Sequence, residues 1–279
     1  MSLGPYIAGA AGLLTAYMHF ESYFVSLVYF QMGFHKLPES FDGLRILHLS
    51  DTHTTKFGLL EQIAQTIINS LDYDICIITG DLSTTPEAIS HIDRIISSRK
   101  HDCPVYVVTG NSEYKPWTDN ESIVESCRCH GYVALSNSSE EFRNQDSSIY
   151  FAGVDYAYTH HHNVDKAFAS IPENSFIIGL THRPSITDEM ISHGAALTLA
   201  GHTHGGQIRL PGLGVIWSHM SRNMQLNDGY YSSERLSSIL GIDAGDAQLF
   251  VNRGLGTSRF HLRLNCRPQI ALIRLRAAD

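Results

Sequence analysis

Cysteine is scarce in this sequence, and the few cysteines follow no recognisable spacing. They are odd in number and scattered along the chain. They provide neither the even-numbered framework of a disulfide-rich domain nor the Cys-x-x-Cys pair that is typical of zinc sites. A reducing compartment is the simplest inference. The five cysteines are Cys76, Cys103, Cys127, Cys129 and Cys266.

Positive charge is also in short supply. Lysine and arginine total 20 against 28 aspartates and glutamates, for a formal net charge of −8. Because nonspecific nucleic-acid binding depends on basic patches, this balance argues against a nucleic-acid partner, and no sequence pattern predicts a protein partner. Sixteen histidines are many beside 20 cationic residues and suit metal chemistry. The 279 residues, 43% of them hydrophobic, are enough for one large α/β domain, alone or with an appendage.

Charge is missing from residues 3–18, which are apolar apart from Thr15. This run falls a little short of the roughly 20 residues that cross a bilayer. It also lacks the basic start of a signal peptide, because the first positive charge is Lys36. Three interpretations stay open: an anchor that lies on or dips into a membrane, a segment packed on the domain, and a true span.

A second apolar and aromatic run follows at residues 23–34. Aromatic rings suit an interfacial position at a membrane, but the run is also suitable for the edge strand of a sheet. We predict an apolar, membrane-associated N-terminal extension over residues 1–41 and a single domain over residues 42–279.

From residue 44 onward, short apolar runs alternate with segments of helical periodicity, which predicts an α/β fold. The polar stretch 136–148 is expected to be a loop, and residues 232–246 a surface insertion. The predicted strands that matter most for function lie at residues 44–50, 74–79, 104–109, 176–180 and 195–199.

Side chains that can bind a metal ion follow these five strands. Glycine precedes three of them, as expected where backbone crowds a ligand. Because ligands of α/β sheets bind at the carboxyl ends of strands, the side chains are expected to converge on one rim. These candidate metal ligands are Asp51, His53, Asp81, Asn111, His182, His202 and His204.

Seven such side chains are more than one tetrahedral site accepts. If Asp81 bridges, each of two cations receives four protein ligands. The mixed nitrogen and oxygen donors favour Mn²⁺, with Fe or Zn²⁺ as alternatives. A pair of cations about 3.5–4 Å apart suits phosphoryl transfer.

Other polar residues have simpler explanations. His48 lies in the middle of a predicted strand and is expected to pack in the core. The histidines at 160–162 are expected in a solvated loop. Arg183 suits either a phosphate contact beside His182 or a surface salt bridge.

The ordered set Asp51-x-His53, Gly80-Asp81, Gly110-Asn111, His182 and Gly201-His202-x-His204 resembles the calcineurin-like metallophosphoesterase family. The resemblance covers roughly residues 44–275 and implies a four-layer αββα sandwich. It also implies a division of the ligands. One metal would take Asp51, His53, Asp81 and His204, and the other would take Asp81, Asn111, His182 and His202.

One departure from the family pattern concerns the leaving group. Ser112 stands where the family usually has a histidine that protonates or stabilises the leaving oxygen, and Thr84 replaces the aspartate that orients this histidine. Serine is no general acid near neutral pH. A phosphate monoester such as UMP leaves without a proton, so a pyrophosphate substrate tolerates Ser112 better than an alkyl phosphomonoester does.

Three stretches, at 181–184, 201–207 and 252–256, are similar to a membrane-associated bacterial branch of the family. That branch includes a chlamydial UDP-2,3-diacylglucosamine diphosphatase of lipid A biosynthesis. The resemblance implies cleavage of this lipid-linked sugar nucleotide to UMP and 2,3-diacylglucosamine 1-phosphate, with the membrane surface at the cytoplasmic face of a bacterial inner membrane as a further partner. Two alternatives remain: a broader phosphodiesterase or phosphomonoesterase of the same fold, and a scaffold that has lost catalysis.

Overall fold

Strands and helices alternate along the chain in the computed structural model, which describes residues 4–97, 103–157, 161–215, 225–258 and 260–278. The helices are α1 (Gly4–Glu21), α2 (Leu59–Asn69), α3 (Ile89–Ile95), α4 (Asn120–Cys129), α5 (Val164–Phe168), α6 (Thr187–Ser192) and α7 (Ser233–Leu240). The strands are β1 (Ser26–Phe34), β2 (Arg45–Leu49), β3 (Ile75–Thr79), β4 (Val105–Val108), β5 (Val133–Ala134), β6 (Ser138–Asn144), β7 (Ser147–Gly153), β8 (Phe176–Leu180), β9 (Ala195–Ala200), β10 (Arg209–Leu210), β11 (Gly214–Val215), β12 (Gly229–Tyr231), β13 (Gln248–Val251) and β14 (Gln269–Ala277).

Twelve of these strands form two sheets of six. The first sheet has the order β1-β14-β2-β3-β4-β5, and the second has the order β12-β13-β9-β8-β7-β6. Strands β2 to β5 run parallel, as do β7, β8, β9 and β13. Consecutive parallel strands therefore end at the same edge of their sheet, which places the loops after β2, β3 and β4 side by side.

Alternation of side chains along the strands explains how the sheets pack. In β3, Ile75 and Ile77 belong to the core between the two sheets, whereas Cys76 and Ile78 pack towards α2, α3 and α4. Successive residues of a strand point to opposite faces, so a strand that is apolar throughout is covered on both sides. On the outer face of the second sheet, α5, α6 and α7 cover two smaller clusters. The result is the predicted four-layer αββα sandwich, which is confirmed.

The segments predicted as a loop and as a surface insertion each contain a regular element. The polar stretch 136–148 contains β6, which pairs antiparallel with β7 at an edge of the second sheet. Charged and polar side chains are common on edge strands, where they discourage pairing with other chains. Residues 232–246 contain α7, whose Leu236 is fully buried in a cluster with β13. The loop prediction was wrong because few apolar residues mark β6, and the predicted surface insertion contains a helix that packs on the second sheet.

The first sheet begins before the predicted boundary at residue 41. Strand β1 pairs in parallel with β14 along its whole length, from Ser26 opposite Gln269 to Phe34 opposite Ala277. It contributes Met32 to the core between the sheets. Residues 26–34 are therefore the edge strand of the first sheet, which is one of the two interpretations that the sequence left open.

Helix α1 extends from this edge with apolar side chains exposed on all sides. Tyr6, Leu13 and Phe20 are each more than 60% exposed, whereas Met18 and Glu21 are buried. A helix that is apolar all round normally lies in a nonpolar environment. Within the described parts of the chain, none of the helices combines the length and the apolar character needed to span a bilayer.

The C-terminal end of α1 is fixed to the segment 263–266. The Glu21 carboxylate accepts hydrogen bonds from the backbone N–H groups of Asn265 (3.1 Å) and Cys266 (2.9 Å). The Arg263 N–H donates to the Met18 carbonyl (2.9 Å). Glu21 is 1% exposed, and the two N–H donors satisfy its buried charge. The direction of α1 is thus set by contacts with the folded domain.

His48 occupies the core position that the sequence predicts. It is fully buried on β2, its ring centroid lies 5.8 Å from that of Phe250, and its Nε2 lies 2.9 Å from Thr79 Oγ1. Burial lowers its pKa from 6.5 to about 3. The imidazole is therefore neutral in the folded protein at all but acid pH.

This burial makes stability depend on pH. Between pH 6.5 and 3 the unfolded chain binds a proton at His48 that the folded chain does not. The free energy of unfolding should therefore fall, as pH drops through this range, by up to about 1.4 kcal/mol per pH unit from this residue. Urea denaturation of wild type and His48→Gln at several pH values should show a shallower slope for the variant. Equal slopes would contradict the prediction, and exposed His35→Gln should keep the wild-type slope.

Candidate metal centre

The loops that follow five strands bring the candidate ligands together. Strands β2, β3 and β4 of the first sheet lead to Asp51, Asp81 and Asn111, and β8 and β9 of the second sheet lead to His182 and His202. The backbone holds these loops against each other, for example through Asp51 N–H to the Gly80 carbonyl (3.0 Å). Residues 151 positions apart, such as His53 and His204, thus meet at one edge of the sandwich.

The first group of side chains consists of Asp51, His53, Asp81 and His204. Its ligand atoms all lie within 4.8 Å of one another. His53 Nε2 lies 3.2 Å from His204 Nε2 and 3.4 Å from Asp81 Oδ2. His204 Nε2 lies 3.3 Å from Asp51 Oδ1. Two imidazole nitrogens and two carboxylate oxygens therefore face a common point, which is the donor set of a divalent transition-metal site.

The second group lies on the other side of Asp81. His182 Nε2 lies 3.4 Å from Asp81 Oδ1, 3.3 Å from Asn111 Oδ1 and 3.1 Å from His202 Nδ1. Asp81 thus presents Oδ2 to the first group and Oδ1 to the second. This is the division of ligands that the family resemblance implies, with Asp81 placed to bridge two cations.

Neighbouring groups orient the ligand atoms. His182 Nδ1 lies 2.8 Å from the Thr79 carbonyl, which leaves Nε2 directed into the site. Asp51 Oδ2 accepts hydrogen bonds from Ser50 Oγ (2.6 Å) and the His202 N–H (2.9 Å), so Oδ1 faces the first group. Such partners fix the rotamer and tautomer of a ligand, and the residues present fit a pair of bound cations.

The backbone of the site is strained. Five of the seven candidate ligands have φ between 44° and 71°, the left-handed region that side chains other than glycine rarely adopt. Each such residue costs about 1–3 kcal/mol, and strain of this kind collects at functional sites. These five are Asp51, His53, Asp81, His202 and His204.

Glycines let the strand ends approach. A Cβ on Gly201 would overlap Ser50 Oγ and lie 2.5 Å from Asp51 Oδ2, and one on Gly110 would overlap Asp81 Oδ1. The sequence predicts this crowding from the glycines that precede ligands. Because Gly201 and Gly110 have no side chain, the carboxylates have room at these positions.

Gly110→Ala should lower kcat/KM at least about 100-fold, because displacing a reacting group by about 1 Å costs this much. The added methyl group would push Asp81 out of its position between the two groups. Phosphodiester hydrolysis and metal content should be measured together. The matched control is Gly9→Ala, whose Cβ meets nothing within 4 Å. Wild-type metal content and rate in Gly110→Ala would contradict the proposed crowding.

Burial and neighbouring charges have opposite effects on the pKa values of the candidate ligands. Burial alone would raise the pKa of the Asp81 carboxyl, but the charges of His182 and His53 lower it to about 2. Burial raises the pKa of Asp51. For His182, the charges of Asp81 and Asp51 outweigh burial and raise the pKa. The charge states of the carboxylates and imidazoles therefore depend on one another, and a cation that binds must compete with protons for them.

Glu113 is a supporting residue that sequence reasoning missed. Its fully buried carboxylate accepts N–H hydrogen bonds from Gly110 (2.7 Å), Asp81 (3.1 Å) and Ser83 (3.1 Å). Burial and the charge of Asp81 raise its pKa to about 7. Glu113 joins the loops after β3 and β4, and its position two residues after Asn111 was the available signal.

Ser112 does not face the site. Its hydroxyl donates to Glu113 Oε1 (2.9 Å), and its backbone N–H donates to Asp81 Oδ1 (2.7 Å). The side chain is completely buried. Ser112 therefore holds Asp81 in place and offers no proton to a leaving group.

A cavity of about 410 Å³ borders both groups of ligands and contains cationic side chains. Lys115, Tyr156 and Arg183 line it together with Ser258. The sequence left two interpretations of Arg183 open, and the structure places it in the cavity wall beside His182. Lys115 and Tyr156 had no sequence signal. Of the predicted loop histidines, residue 160 lies outside the described residues, and His161 stacks on Tyr114 with centroids 4.9 Å apart.

A loop near the C-terminus supports Asp51 from behind. Leu255 N–H donates to the Ser50 carbonyl (3.0 Å), and Gly256 N–H donates to the Asp51 carbonyl (2.7 Å). The completely buried Arg263 holds this loop by donating to backbone carbonyls, and burial lowers its pKa. Its acceptors are the carbonyl oxygens of Arg253, Gly254, Gly256 and Cys266.

Comparison of the sequence with known proteins finds its relatives among phosphoesterases. The sequence profile of the calcineurin-like phosphoesterase family matches residues 44–206. The uncharacterized metallophosphoesterase YkuE of Bacillus subtilis is 26% identical, over 99% of this chain and 96% of that protein. The phosphodiesterase YaeI of Escherichia coli is 26% identical, over 96% and 94%. The UDP-2,3-diacylglucosamine pyrophosphatase LpxG of Chlamydia trachomatis is 23% identical, over 85% and 86%.

Proposed function

Since this chain belongs to the calcineurin-like phosphoesterase family and is a metal-dependent phosphoester hydrolase, we propose that it cleaves a phosphoanhydride at a membrane surface. The proposed substrate is UDP-2,3-diacylglucosamine, and the products are UMP and 2,3-diacylglucosamine 1-phosphate. In bacteria this places the enzyme in lipid A biosynthesis, at the cytoplasmic face of the inner membrane.

The observation that carries the chemistry is the position of Asp81 between two groups of ligands. Its two oxygens lie 3.4 Å from His53 Nε2 and 3.4 Å from His182 Nε2. This arrangement supports a pair of divalent cations, for which we propose Mn²⁺. When bound, such a pair would supply Lewis-acid polarisation of a phosphoryl oxygen and activation of water.

The protein residues around the cations would bind and orient the substrate. Lys115 and Arg183 line the cavity beside the ligands and suit the negative charges of a diphosphate. Tyr156 lines the same cavity and carries a hydroxyl that can form hydrogen bonds. These side chains would hold the nucleotide half of the substrate.

The environment of Ser112 supports a pyrophosphate rather than an alkyl phosphomonoester. A buried hydroxyl that donates to Glu113 supplies no proton at the cavity. An alkoxide leaving group needs that proton, whereas UMP departs as a phosphate monoester without it. The similarity to LpxG over most of both chains agrees with this choice of substrate.

The test is to incubate purified protein, Mn²⁺ and UDP-2,3-diacylglucosamine, and to measure UMP and the lipid 1-phosphate. We expect the two products in equal amounts, with a higher kcat/KM than for bis(p-nitrophenyl) phosphate. Wild type, which has Ser112, should show this activity without the change Ser112→His. Wild-type protein that is inactive on every pyrophosphate would overturn the proposal.

A broader phosphodiesterase is the second candidate. The similarity to YaeI, which covers nearly the whole of both chains, favours it. In that case bis(p-nitrophenyl) phosphate and other diesters would be cleaved as efficiently as the lipid-linked nucleotide. The same comparison of kcat/KM values therefore decides between the two candidates.

A further inference from the structure

A second cavity, whose lining shares no residue with the cavity of Lys115 and Arg183, reaches the candidate metal centre at His53. It has a volume of about 270 Å³, and its wall contains His53 and the neighbouring Thr52. Thr257 and His261 add polar groups at the same cavity, and Tyr23 lines it near the N-terminal region. The candidate ligands thus border two cavities, one lined by Lys115 and Arg183 and one that reaches Tyr23, two residues after the end of α1.

Apolar side chains continue from this second cavity towards α1. Leu59 and Leu60 line it, and Ile63 follows one turn later on α2. Ile63, Tyr23 and Phe24 line an adjoining cavity of about 490 Å³, and Tyr23 belongs to both cavities. We call Leu59, Leu60, Ile63, Tyr23 and Phe24 the apolar tract.

The apolar tract is unusual because parts of it are exposed. Leu59 is 58% exposed and Phe24 is 51% exposed. At its far end the chain continues into α1, whose Phe20 is 62% exposed. Contiguous exposed apolar surface marks an interaction site. Here the surface runs from the candidate metal centre to the helix proposed to contact the membrane.

We propose that the apolar tract binds an acyl chain of the substrate while the sugar occupies the cavity beside His53. The proposal rests on the proposed function and adds the orientation of the substrate. The cationic cavity with Lys115 and Arg183 takes the nucleotide phosphate. The lipid leaves the metal centre on the other side and reaches α1, so the substrate keeps contact with the bilayer during the reaction.

Two features favour a lipid over a protein partner. One end of the apolar tract opens at His53, where the reacting phosphorus must lie, so its occupant has to be part of the substrate. The inner lining is polar, with Thr52, Thr257 and His261 and the charged residues Lys56 and Glu61, which suits the hydroxyl and amide groups of an acylated glucosamine. The outer lining of Tyr23, Phe24, Val25 and Ile63 carries one charged residue, Arg267.

Kinetics with Leu59→Asn provide the first test. The ratio of kcat/KM for UDP-2,3-diacylglucosamine to that for bis(p-nitrophenyl) phosphate should fall about tenfold, because an apolar contact with the acyl chain is lost. The matched control is Leu213→Asn, at a residue that is 77% exposed and lies outside the apolar tract. An unchanged ratio in Leu59→Asn, or an equal fall in the control, would overturn the proposal.

Photo-crosslinking separates this proposal from the proposed function. The probe is UDP-2,3-diacylglucosamine with a diazirine at the end of one acyl chain, bound to an Asp81→Asn variant that does not consume it. Labelling of residues 23–25 or 59–63 supports the acyl site, whether or not wild type releases UMP. Failure of wild type to release UMP would overturn the proposed function alone. Labelling confined to the cavity of Lys115, or absence of labelling, overturns the acyl site whatever the hydrolysis assay shows.

Discussion

Asp81→Asn is expected to lower kcat at least about 10³-fold and to reduce the metal content of the protein. Among the seven candidate ligands, all of them in the described part of the chain, Asp81 alone presents one oxygen to each group, with Oδ1 near His182 and Oδ2 near His53. An amide keeps the size of the side chain and its hydrogen bond to one neighbour, but it removes the charge and one oxygen donor. Metal content by mass spectrometry and turnover of a phosphodiester should therefore fall together.

Folding is the control for this variant. Because asparagine tolerates the left-handed backbone conformation that Asp81 adopts, the metal-free variant should still fold cooperatively in urea denaturation. Asp165→Asn makes the same chemical change at a residue that is 92% exposed and pairs with His193. It should leave turnover unchanged. Full activity of Asp81→Asn would refute the bridging role.

Arg263→Met should lower the free energy of unfolding by about 3 kcal/mol. The guanidinium is fully buried and donates to four backbone carbonyls around the loop that supports Asp51. Methionine fills much of the volume but leaves those acceptors without partners. Removing a desolvated charge recovers part of the loss, which keeps the effect from being larger.

The measurement is urea denaturation of metal-free protein, and the matched control is Arg143→Met. Arg143 is 74% exposed and pairs with Glu141 at the surface, so its loss should leave stability close to that of wild type. Phosphodiester turnover of Arg263→Met should also fall, since Gly256 and Leu255 no longer hold the backbone of Asp51 and Ser50. Unaltered stability would show that the carbonyls find other donors.

The positions of the candidate ligands were predictable because strand ends set them. A short apolar run fixes where β3 ends, and Gly80-Asp81 follows directly. Parallel pairing then brings that end beside those of β2 and β4. The sequence therefore predicts which side chains meet, although it carries no distances.

Supporting residues were not predictable in the same way. Glu113, Arg263 and Glu21 look like ordinary charged residues in the sequence, yet each is buried against backbone groups. Their partners lie in loops that only tertiary packing brings near, such as Asn265 beside Glu21, 244 positions away. Burial of a charge depends on such partners, and periodicity gives no information about them.

The two missed elements differ in how far local sequence signals mark them. Helix α7 is short, but Ser232 accepts the Arg235 N–H at its start and Gly241 ends it in the left-handed conformation. Both are readable capping signals. Strand β6 has a single large apolar residue, Phe142, and its register comes from the tight connection at 145–146 to β7. Pairing with a neighbour, rather than its own pattern, makes it a strand.

The most direct test of this account is anomalous diffraction from crystals grown with Mn²⁺. Two anomalous peaks should lie on either side of Asp81, each within about 2.0–2.3 Å of one of its oxygens. One peak should adjoin His53 and His204, and the other should adjoin His182 and Asn111. A single peak, or peaks that do not share Asp81, would contradict the paired-cation site on which the proposed hydrolysis depends.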